Sequence, residues 1–133
     1  MTVEAIVEDP LADALRRVMR GVAATVVVVT TEADGADYGM TATSFTSLTL
    51  DPPSVLVAVN RQTLMHDRLL TRGLFAVNVL PEGFEDLARS FGDAAVDNAA
   101  RFRLGTWRRH PDGPPLLQEA RLLDHKLYAA LAY

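Results

Sequence analysis

The chain alternates between short apolar runs and polar breaks. Leu11, Leu15, Val18, Met19 and Val22 recur at helical spacing. With Asp9 placed to cap and Pro10 in the first turn, they predict an amphipathic helix over residues 10–20, stopped at Gly21. Residues 1–9 read as a loose tail. Residues 22–31 (VAATVVVVTT) are a β-branched run and predict a buried strand. Asp34-Gly35 marks a tight turn. Residues 38–50 (YGMTATSFTSLTL) read as one strand. Its even positions include Tyr38, Met40, Ala42, Leu48 and Leu50, whereas its odd positions Thr41, Thr43, Ser47 and Thr49 carry hydroxyls, with Phe45 among them. Asp51-Pro52-Pro53 turns the chain.

Residues 54–60 predict a third strand, and residues 64–70 a short helix with Thr63 as N-cap and Gly73 as stop. A fourth strand is expected over 75–80 and a helix over 84–91. Residues 92–113 read as loop with a short helical piece, and the alternation over 122–131 predicts a last strand. Many short strands with few helices point to a β-barrel or sandwich rather than a parallel sheet.

The length of 133 residues suits one domain, here residues 10–133. A net charge of −4 argues against a nucleic-acid partner, and the arginines at positions 16, 17, 20, 108 and 109 read as solvated faces. The chain has no cysteine, which removes disulfides and thiolate chemistry. The acidic N-terminus lacks a signal-peptide pattern, and no apolar run is long enough to span a bilayer, so a cytoplasmic protein without membrane association is expected.

Familiar catalytic arrangements are missing. His66, His110 and His125 are far apart in sequence with no metal-binding spacing, and there is no nucleophile elbow or Gly-rich phosphate loop. No metal and no catalytic side chain is assigned. What remains is the hydroxyl-rich TATSFTS stretch, the polar run Asn60-Arg61-Gln62-Thr63 and the amides that open the next helix. Converging, they would suit a polyol phosphate, because a helix N-terminus and an arginine both favour an anion. On pattern alone, a threonine-rich edge strand followed by a capped helix explains the same residues.

Residues 39–60 (GMTATSFTSLTLDPPSVLVAVN) resemble the signature of the flavin-reductase-like family, whose pattern runs G-M-T-A-x-S-F-x-S-x-S-x-D-P-P. RGVAATVVVVTT, FAVNVLPEGFEDLARSF and ARFRLGTWRRHPDGPPLLQEA resemble further family stretches in the same order, so the likeness covers about residues 11–133. It implies a mainly β fold, an FMN-binding split β-barrel of six antiparallel strands with Greek-key connections and a few short helices. It also implies a homodimer with flavin at its interface. Met40, Thr41, Ala42, Thr43, Ser44 and Phe45 would line the flavin ring and ribityl chain, largely through main-chain groups. Asn60, Arg61, Gln62 and Thr63 would hold the phosphate. Asn78 and Arg89 fall in matching stretches, and Phe91 would pack on the flavin or in the core.

The sequence departs from that pattern twice. After Asn60-Arg61 the family shows a serine pair, then a basic residue and a threonine, whereas here only Thr63 keeps a hydroxyl. The family also continues beyond the point matching Tyr133 with a Gly-Asp-His turn and a final barrel strand, so the domain is expected to be C-terminally incomplete. The implied activity is NAD(P)H-dependent reduction of FMN, or FAD, by hydride transfer, with reduced flavin supplied to a partner monooxygenase. Main-chain amides over residues 41–44 would stabilise charge on the reduced ring. Three other readings stay open: a flavin-binding carrier or sensor without turnover, a split-barrel flavin oxidase or oxygenase related to pyridoxamine-phosphate oxidase, and a purely structural β-domain that binds no flavin.

Overall fold

Strand β1 (Val27–Ala33) lies at the centre of the fold, and its residues are buried on both sides. Val27 and Val29 enter one apolar cluster with Val57, Val59, Met65, Leu69, Phe75 and Val77. Val28, between them, enters a second cluster with Leu87, Phe91 and Leu117. A strand covered on both faces needs an unbroken apolar run rather than alternation, which explains VVVV in this position. The computed structural model describes residues 10–22, 24–51, 53–109, 113–126 and 129–132. The tail at 1–9, Asp9 and His110 lie outside these residues.

The remaining strands are β2 (Ala36–Ala42), β3 (Phe45–Leu50), β4 (Pro53–Val59), β5 (Leu74–Val79), β6 (Trp107–Arg109), β7 (Pro115–Leu117), β8 (Arg121–Lys126) and β9 (Ala129–Ala132). The helices are α1 (Pro10–Arg20), α2 (Leu64–Arg72), α3 (Glu85–Gly92) and α4 (Asn98–Arg101). One sheet has the order β2-β1-β5-β8, a second β3-β4-β9, and β6 pairs with β7 alone. The fold is mainly β, with few short helices, as the sequence predicts.

Four expectations are corrected by the backbone. The buried strand expected from residue 22 begins at Val27, and Val22 is exposed. The single strand over 38–50 is two strands in different sheets. The chain leaves the ladder at Thr43 and Ser44, and Ser44 Oγ donates to the carbonyl of Ala58 at 3.1 Å, so the corner is fastened to the end of β4. The last strand is likewise two, β8 and β9, and β9 runs parallel to β4 whereas the other described pairings are antiparallel. Finally, the segment over 92–113 holds strand β6 as well as helix α4; three residues are too few to show a periodicity.

Asn78 ties the small β6–β7 hairpin to the main sheet. It is 0% exposed. Its Nδ2 donates to the carbonyl of Val28 at 2.8 Å and to Thr30 Oγ1 at 3.2 Å, and its Oδ1 accepts the Leu117 N–H at 2.9 Å. Thr30 Oγ1 in turn donates to the carbonyl of Pro115 at 2.7 Å. Buried polar groups left without partners are costly, so this network acts as a unit. Asn78→Ala strips the partner from the Leu117 N–H inside the core. The expected loss of stability is about 2–4 kcal/mol, read from urea denaturation midpoints.

Candidate functional site

A cleft of about 610 Å³ opens beside the free edge of β2. β2 is the outer strand of its sheet, paired on one side only with β1. In an antiparallel ladder alternate residues turn their N–H and C=O away from the partner strand. The Asp37 carbonyl accepts from Asn98 Nδ2 and the Gly39 carbonyl from Arg101 Nη1, so the odd positions of β2 face outward. Thr41 follows by alternation, and its main-chain donor and acceptor lie along the cleft.

The side chains of β2 separate the two walls. Tyr38, Met40 and Ala42 pack toward the cluster that holds Met65 and Leu69 of α2. Thr41 points the other way, and its Oγ1 donates to the Ala88 carbonyl of α3 at 2.5 Å. Gly39 carries no side chain because there is no room for one: a Cβ would stand 2.6 Å from Phe91 Cε1. Phe91 is held there by Phe102, edge-on at 5.0 Å between centroids, and by Trp107 at 5.5 Å.

The opposite wall is the start of α2. The Asn60 side chain accepts the Gln62 N–H at 2.9 Å, and Thr63 Oγ1 donates to the Asn60 carbonyl at 2.7 Å. Thr63 caps the helix by accepting the His66 N–H, and Gly73 ends it in the left-handed region at φ 66°. Leu64 and Met65 line the cleft, and their N–H groups, in the first turn of α2, have no partner within the helix. The third wall is the chain after α3, through Gly92, Val96, Asp97 and Arg101.

Among the residues singled out from sequence, Met40, Thr41, Gln62, Thr63 and Phe91 line this cleft together. Thr43 and Ser44 sit exposed at the sheet corner, and Phe45 pairs with Val57 just before the Asn60 loop. Asn60 shapes the loop from behind, and Arg61 is exposed beside it. Ala42 is in the core. Asn78 spends its side chain on the internal network, and Arg89 is exposed on α3, 3.4 Å from Asp86. Sequence reasoning missed Tyr38, Gly39 and the segment over 92–101. Its residues DAAVDNAAR carry no periodicity to flag them. Among the described residues no group of acids and histidines is placed to hold a metal ion, and no helix is long and apolar enough to cross a membrane.

Charge reinforces the frame around β2. Arg68 stacks over the Tyr38 ring at 5.1 Å and lies 3.7 Å from Asp34. Asp37 forms an ion pair with Arg109, yet its Oδ1 is buried without a partner. Burial pushes the Asp37 carboxyl above the usual carboxylate range, and Arg109 draws it only part of the way back. The raised value means that folding favours the protonated acid. Its contribution is therefore fully present below the ordinary value of 3.8 and is lost as pH rises through the folded-state value. Away from the cleft, hydrogen bonding by the Thr106 side chain, helped by main-chain N–H groups including that of Thr106, holds the exposed Glu119 carboxyl below its ordinary value. Asp37→Asn is expected to gain stability relative to the parent as pH rises from about 3.5 to 6, measured by denaturation at each pH; a flat difference refutes this assignment.

The flavin reductase like domain matches residues 19–123 of this chain. The reductase component of an FADH(2)-dependent resorcinol hydroxylase from Rhizobium sp. (strain MTP-10005) is 44% identical over 100 residues, covering 74% of this chain and 55% of that protein. An FMN reductase (NADH) from Pseudomonas syringae pv. syringae is 38% identical over 115 residues, covering 86% and 64%. The chain thus spans little more than half the length of these curated relatives. A solved NADH:FAD oxidoreductase from Streptomyces globisporus C-1027 superposes with a TM-score of 0.72 at 38% identity, over 94% of this chain and 78% of that one. The family match spans most of the chain, and the chain belongs to the flavin reductase like family.

Proposed function

We propose that this chain is the flavin-binding body of a cytoplasmic NAD(P)H:flavin oxidoreductase that supplies reduced flavin to a partner monooxygenase. The observation that carries the reading is the meeting of the open edge of β2 with the amide-rich start of α2 in one cleft. The two ends differ in a way that suits FMN or the FMN half of FAD. The outward main chain of Thr41 supplies a donor and an acceptor for a flat heterocycle. The unpaired N–H groups of Leu64 and Met65, with the helix dipole behind them, suit a phosphate. Met40 supplies apolar surface between them, and Phe91, buried in the core, backs the wall. Bound flavin would accept a hydride from reduced nicotinamide, so the protein's own part is to bind, orient and exclude water.

Relatives support the partner and the cofactor. One is the reductase component of a resorcinol hydroxylase, another that of a two-component tryptophan halogenase. A related NADH:FAD oxidoreductase has been solved with NAD and FAD fragments.

Two apolar faces that the described residues leave open support a homodimer. On α1, Leu11, Leu15, Val18 and Met19 are all more than half exposed, and on β3 Leu50 is 84% exposed. An eleven-residue helix does not hold in water on propensity alone, and an open apolar face of this kind marks an interface. A second copy covering both faces would bring β3, and with it the Thr43–Ser44 corner, to the shared surface.

Two measurements test this. Titration with FMN should quench its fluorescence and permit NADH oxidation followed at 340 nm. Binding without oxidation would make the chain a carrier, and no binding would end the flavin reading. In sedimentation velocity the parent should run as a dimer, and Leu15→Glu with Leu50→Lys should shift it to monomer.

A further inference from the structure

Arg101 stands apart from the other paired arginines. Arg68, Arg72, Arg89 and Arg109 each lie within 4 Å of a carboxylate, at Asp34, Glu32, Asp86 and Asp37. Arg101 has no carboxylate partner among the described residues. Its Nη1 donates to the Gly39 carbonyl at 2.9 Å and its Nη2 to the Asp93 carbonyl at 2.7 Å. Its Nε is buried with no partner. Among the described residues it is the one basic residue on the cleft wall, and Asp97, a turn earlier in the chain and on the same wall, forms no ion pair with it.

Neutral carbonyls orient a guanidinium without neutralising it. A half-buried cation fixed in this way gains most from an arriving anion, because charge-assisted bonds strengthen as water is excluded. The count of donors points the same way. Of five N–H groups two serve the carbonyls and one is buried, which leaves one on each terminal nitrogen. Two such donors suit the oxygens of a phosphate, which a single ammonium meets only as a point charge.

We infer that Arg101 recognises a phosphate group carried into the cleft by its ligand, and so sets the preference for phosphorylated over unphosphorylated ligands. This rests on the flavin reading above and adds a residue to it. The phosphate has two sources, the flavin and the nicotinamide dinucleotide, and the two are separable by experiment.

The test compares the parent with Arg101→Gln and Arg101→Lys. Dissociation constants for FMN and for riboflavin come from fluorescence quenching, and KM and kcat for NADH from turnover at saturating flavin. If the flavin supplies the phosphate, Arg101→Gln should weaken FMN about 10- to 100-fold and leave riboflavin unchanged, with Arg101→Lys between. If the dinucleotide supplies it, FMN binding should hold while KM for NADH rises by a similar factor at constant kcat. Either result supports recognition. An equal loss for FMN and riboflavin would make Arg101 a strut for the cleft wall and overturn the inference, as would no change in any constant. Where the glutamine variant does not fold, the lysine variant carries the same comparison. A parent that binds neither flavin overturns the underlying reading instead, before Arg101 is altered.

Discussion

An outer strand has hydrogen-bonding groups that no neighbouring strand satisfies, and β2 is such a strand. Natural sheets cover, charge or shorten their edges to avoid sticking to other chains. Here the cover is selective. Asn98 and Arg101 occupy the carbonyls at Asp37 and Gly39, and the stretch at Thr41 is left open inside a cleft rather than on the surface. A groove covered along one stretch and open at Thr41 suits recognition, because a ligand that completes the ladder there recovers bonds that water makes less well in a confined space.

That edge is positioned by the two-sided burial behind it. β1 enters an apolar cluster on each face, so it cannot shift without disturbing two clusters at once, and β5 beside it is buried from Phe75 to Asn78. Asn78 and Thr30 pin the β6–β7 hairpin against the same strands, and the hairpin brings Trp107 to the aromatic group that holds Phe91 under Gly39. The chain of dependence runs from a buried amide through three aromatic rings to a glycine in the cleft wall. Asn78 therefore affects the site without reaching it.

Much of this was legible in the residues. The β-branched run of β1, the Thr63 cap and Gly73 stop of α2, and the convergence of Met40 and Thr41 with Gln62 and Thr63 follow from local chemistry or from the family motif. What escaped was long-range. Residues 38–50 alternate well enough to read as one strand, and only the pairing of each half with a different partner breaks them at Thr43 and Ser44. The parallel pairing of β9 with β4 is set by the path of the chain and not by its composition. The wall over 92–101 was invisible because Asn98 and Arg101 act through single side chains on main-chain carbonyls, which leaves no repeating pattern.

Helix α1 has a consequence for how the molecule behaves in bulk. Its apolar stripe is more than half exposed among the described residues, so in the proposed dimer much of what it contributes to stability would arrive on association. In that dimer mass action would couple the folded population to the amount of protein present, and heat resistance would climb as the solution is concentrated. In a cell, dilution would loosen this element first, and abundance itself would help decide how much of the protein is fully assembled.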